Sequence, residues 1–158
     1  VWGSIITVFM LSLSLGYLLG GRLSVNNPSL QRFAAIFALG AVLLYPLILF
    51  AEPVMEFIFL RIEDPRYGSL MASAFLFILP TVILGMISPY SVRLLVTKVE
   101  ESGQVAGTLY FVSTLGSAIG TLMTSFYFIL WFEVNTVLTL LTVVLLVVAG
   151  VAMLAARR

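Results

Sequence analysis

Residues 84–121 read LGMISPYSVRLLVTKVEESGQVAGTLYFVSTLGSAIGT, and the organisation of the chain follows from them. The stretch holds the end of one uncharged segment, a short charged hinge and the start of a second uncharged segment studded with small residues. Ser113, Ser117, Thr121 and Ser125 recur at every fourth position, and Gly116, Gly120 and Thr124 recur on the adjacent track. At 3.6 residues per turn the two tracks share one helix face. Such a face lets another helix come close.

Composition names the solvent around that helix. Hydrophobic residues make up 61% of the 158, charged residues only 9%, and the mean hydropathy is +1.17. Soluble domains carry roughly 25% charged residues, and a soluble fold of this size could not hide so much apolar surface. The surroundings are therefore expected to be lipid. The net charge of +1, without a basic stripe, gives no reason to expect a nucleic-acid partner. The chain has no Cys and no His. Disulfides, thiol nucleophiles, Cys/His zinc sites and imidazole chemistry are excluded.

A bilayer core of about 30 Å takes about 20 helical residues. Five segments meet that length: 3–21, 33–51, 68–89, 104–132 and 135–156. The fold class is an all-α polytopic membrane bundle of five transmembrane helices, forming one domain over 1–158. Segment 53–60 is too short to span and is expected along the outer surface. Trp2, Tyr67, Tyr90 and Trp131 at span ends fit an aromatic belt.

Arg22, Arg32, Arg93, Lys98, Arg157 and Arg158 fall on one side, and Arg61 and Arg66 on the other. The positive-inside rule puts the first group in the cytoplasm, with the N-terminus outside and the C-terminus inside. Five spans with an outside N-terminus, starting at Val1, are read as a fragment that lacks a preceding helix.

Candidate chemistry is sparse. Every Asp, Glu, Lys and Arg falls in a loop or at a span end. Ion-coupled carriers usually place ionisable groups inside the bundle. Glu52, Glu56, Glu63 and Asp64 give the outer loop four acids, which read either as a weak cation site or as a solvated loop. Arg93, after Ser88 and Pro89, either snorkels to phosphates or pairs with Glu100 or Glu101. Pro46 and Pro80 lie within spans and can kink them. No catalytic residue, cofactor site or metal site is expected.

The packing residues are more specific. Gly16-x-x-x-Gly20 closes the first span, and Ser113, Gly116, Ser117, Gly120, Thr121 and Thr124 form the face of the fourth. That face serves either packing within the chain or an interface with another subunit. Gly120→Leu is expected to push the fourth span off its neighbour.

Three segments carry a resemblance. LGYLLGGRLS (15–24), LGMISPYSVRLL (84–95) and AGTLYFVSTLGSAIGT (106–121) together resemble the membrane region of fused, membrane-bound spermidine synthase-like (polyamine aminopropyltransferase) proteins of bacteria. The resemblance covers essentially the whole chain. It implies a bacterial cytoplasmic-membrane module joined to a C-terminal cytoplasmic enzyme domain. More distantly, the pattern is similar to half of a major facilitator superfamily transporter. Gly16, Gly20, Gly21 and Arg22 would then match the cytoplasmic element after that family's second helix, and the five spans would be helices two to six of six. The acidic residue usual in that element is absent; 24–27 read Ser-Val-Asn-Asn. No nucleoside loop or diamine-binding acidic pair is present. The expected role is a non-catalytic membrane anchor or docking subunit whose partners are the bilayer and other membrane helices. These would be a missing N-terminal helix or subunits of a complex. The alternative is half of a transporter for polyamines or other small solutes.

Overall fold

A computed structural model describes residues 1–157; Arg158 lies outside the described residues. The chain is all-helical, with 89% of residues in helix, no strand among the described residues and five helices long and apolar enough to cross a membrane. In lipid the backbone must satisfy its own polar groups, and a helix does so within one segment.

The elements are α1 (Trp2–Val25), α2 (Leu30–Phe59), α3 (Pro65–Gly85), α4 (Ile87–Leu95), α5 (Ser102–Met123), α6 (Ile129–Trp131) and α7 (Val134–Ala155). A 3-10 turn, Val99–Glu101, leads into α5, and a π-helical segment, Thr124–Phe128, joins α5 to α6.

Three boundaries differ from the sequence reading. Residues 53–59 do not lie along the surface as a separate piece; they continue α2, which runs through Pro46 and Pro53 for 30 residues. At 1.5 Å per residue that is about 45 Å, longer than the hydrocarbon core. The third span is divided at Met86 into α3 and α4. The fourth contains the π segment, so Thr124 and Ser125 leave the regular α face.

The helix ends follow local chemistry. Ser29 caps α2 by accepting from the Arg32 N–H at 3.2 Å, and Asp64 caps α3 by accepting from the Arg66 N–H at 2.8 Å. Pro65 opens α3, where its missing N–H costs nothing.

The centre of the bundle is the seam between α1 and α3. Val8, Ser12, Gly16, Gly20 and Ser24 are the buried residues of α1, one every fourth position. Facing them are Ser69, Ala72, Ser73, Leu76, Val82 and Gly85 of α3. Ser4 Oγ donates to the Arg66 carbonyl at 3.2 Å, and the Phe9 and Phe77 rings lie 5.2 Å apart. Gly20 meets Met86. The residue numbers rise together, so the helices run parallel, as first and third membrane crossings must. The α2–α7 seam is built differently, from Ala41, Leu44 and Leu145, with Phe37 and Leu84 against them.

Tyr90 was expected in an aromatic belt, and the structure corrects this. It is fully buried, while Trp2, Tyr67 and Trp131 are exposed. Its hydroxyl accepts from the Ser29 N–H at 3.0 Å and donates to the Ser29 carbonyl at 3.2 Å. Its ring stacks on Phe33 at 5.9 Å. One side chain thus bolts α4 to the start of α2.

Candidate functional site: an open groove along α5

Hydroxyl side chains inside a membrane helix commonly bond back to the carbonyl one turn earlier. Ser12, Ser14, Ser91, Thr108 and Thr121 each donate to the carbonyl four residues back, at 2.6 to 2.9 Å. Their polarity is satisfied locally. Among the described residues, no hydrogen bond involves the hydroxyls of Ser113, Thr114 or Ser117. These three side chains line an open groove between α5 and the α1/α4 side of the bundle. Tyr17, Ser88, Pro89 and Tyr110 complete it, with a cavity of about 460 Å³. A contiguous cleft of about 410 Å³ extends it past Leu13, Gly85, Ser91 and Leu109. The lining is hydroxyl-rich and uncharged.

α5 itself is barely held. No residue between Ser102 and Met123 is buried. Cβ atoms built on Gly103, Gly107, Gly116 and Gly120 meet nothing within 4 Å. Among the described residues, no helix of the chain covers this face. A Leu at position 120 therefore has no internal neighbour to displace.

The two glycine motifs have opposite surroundings. A Cβ at Gly16 would collide with the Val82 carbonyl oxygen and lie 2.9 Å from Gly85 Cα. A Cβ at Gly20 would lie 2.5 Å from the Met86 carbonyl oxygen. Gly16 and Gly20 are thus positions where backbones touch, and Gly116 and Gly120 face open space. Gly21 also has open space around it. Arg22 is exposed in the last turn of α1, and Arg93 in the last turn of α4. Ser88 and Pro89 sit in α4 on the groove wall. Thr121 lies on α5, and Thr124 opens the π segment.

Sequence reasoning missed Ser12 and Ser24 as members of the α1 track. Their four-residue spacing from Gly16 and Gly20 was the available signal. Gly85, the partner across the seam, had no such signal of its own.

Compared with known proteins, the chain matches no family model, no curated protein and no solved structure.

Proposed function

We propose that this chain is a non-catalytic membrane module whose α5 receives a transmembrane helix of another polypeptide, making it a docking subunit of a membrane complex. One observation carries the reading: α5 crosses the bundle with none of its residues buried, and its small-residue face opens onto a hydroxyl-lined groove. Membrane helices associate through small residues that let backbones approach and through hydroxyls that bond across. Both are present on α5 and without a partner in this chain. An unpartnered hydroxyl left in hydrocarbon is unfavourable, so a helix bearing hydrogen-bonding side chains fits better than acyl chains.

The resemblance to spermidine synthase-like membrane regions supports an anchoring variant of the same role. There the basic side, carrying Arg22, Arg32, Arg93 and Lys98, faces the cytoplasm and an enzyme domain. A second reading, half of a solute transporter in the bacterial cytoplasmic membrane, rests on the same groove. Its uncharged lining favours a neutral hydroxylated solute over a polyamine, which calls for carboxylates. The acids Glu52, Glu56, Glu63 and Asp64 lie at the far end of α2 and before α3.

The test is to purify the protein in a mild detergent with and without Gly120→Leu. The docking reading expects the substitution to abolish association with a stoichiometric membrane partner while the bundle's melting temperature stays unchanged. Loss of the bundle itself, or unchanged association, overturns it. Solute flux from vesicles holding this chain paired with a second half would favour transport instead.

A further inference from the structure

The largest groove in the molecule lies elsewhere, at the end of α1 and the start of α2. It measures about 990 Å³, the upper end of ordinary ligand sites. Its walls are apolar, built by Leu19 and Leu23 from α1, Ile36 and Leu39 from α2, and Ile83 from α3. At its mouth stand Arg22, Asn26 and Arg32. No carboxylate lines it.

The two guanidiniums are brought together by a rigid turn. Asn27 takes a left-handed conformation, with φ of 49°, and reverses the chain between the helices. Arg32 Nη1 donates to the Asn26 carbonyl at 2.6 Å. Ser29 caps α2, and the fully buried Tyr90 holds both backbone polar groups of Ser29. Arg22 sits on the last turn of α1, across the groove mouth. The mouth is therefore a fixed pair of cations at a membrane-interface depth, above an apolar slot between helices.

We propose that this groove is a binding site for an anionic phospholipid. The headgroup phosphate sits between Arg22 and Arg32, and an acyl chain lies against Leu19, Leu23, Ile36 and Leu39. The charge complementarity selects a phosphate-bearing lipid without a neutralising amine, such as phosphatidylglycerol. Basic pockets between transmembrane helices take such headgroups, and guanidinium groups match phosphate oxygens in a bidentate way. The apolar slot distinguishes a lipid from a free anion.

The test is native mass spectrometry of the purified full chain with phosphatidylglycerol or phosphatidylcholine added to the detergent. Phosphatidylglycerol is expected to bind preferentially, and Arg22→Gln and Arg32→Gln each to weaken that binding about fivefold. Arg22→Lys is expected to retain most of it. Arg61→Gln, at the opposite end of the bundle, is expected to leave it unchanged. Arg32→Gln also removes the bond to Asn26, so Arg22→Gln, which lies outside the hydrogen-bonded turn, decides the matter. Equal binding of the two lipids, or unchanged binding in Arg22→Gln, overturns the proposal. Displacement of phosphatidylglycerol by inorganic phosphate at equal concentration also overturns it, because the site would then be one for a free anion.

Discussion

Gly16 and Gly85 touch backbone to backbone: a Cβ built on Gly85 lies 3.3 Å from Gly16 Cα, and one built on Gly16 lies 2.9 Å from Gly85 Cα. Neither position accepts a side chain while α1 and α3 keep their separation. The seam is dispersion-bound, because lipid supplies no hydrophobic drive between helices. Its strength depends on closeness, and closeness depends on these two residues.

Gly16→Ala is therefore expected to destabilise the bundle by about 1–3 kcal/mol or more, the usual range for overpacking. The methyl meets backbone atoms of α3, which cannot rotate away. A thermal or denaturant titration in detergent measures it. Gly85→Ala should cost less, since its nearest atom is the Leu13 carbonyl oxygen at 3.2 Å.

Gly40 provides the contrast. A Cβ there meets the Leu84 side chain, with Cδ2 at 2.7 Å. A leucine terminus can change rotamer, so Gly40→Ala is expected to be clearly milder than Gly16→Ala in the same titration. Equal losses at both positions would show that crowding of side chains and of backbone cannot be told apart here.

Tyr90→Phe keeps the ring on Phe33 and removes the hydroxyl. The Ser29 N–H and carbonyl then lose their partner. A cost of about 1–3 kcal/mol is expected for leaving such groups unpaired. Tyr90→Ala should cost more, about 3–5 kcal/mol, because the packing of a fully buried ring goes as well. Both are read by thermal unfolding.

Much of this was legible in the sequence. Hydropathy over about twenty residues found all five long helices, because lipid demands both length and apolarity from each one independently. Gly16 and Gly20 announced a close contact. The extension to Ser12 and Ser24 was hidden because serine is ambiguous until its hydroxyl is seen bonding back to its own helix. Tyr90 at a span end looked like a belt residue, and only the fold of the 26–29 turn over α4 buries it. Residues 53–59 were lost because proline and two glutamates resemble a loop, yet α2 carries Pro53 and both acids in helix. The face of α5 was legible as a face, but which helix covers it depends on partners that a single chain does not contain.

The groove along α5 is the centre of the account, and site-specific photocrosslinking in intact membranes tests it most directly. A photoreactive residue is placed at Ser117, on the groove wall, and at Leu122, an exposed position of the same helix. The account predicts one discrete adduct with a membrane polypeptide from position 117, absent from position 122 and lost when Gly120→Leu is added. Lipid adducts alone from position 117, or a protein adduct that survives Gly120→Leu, would contradict it.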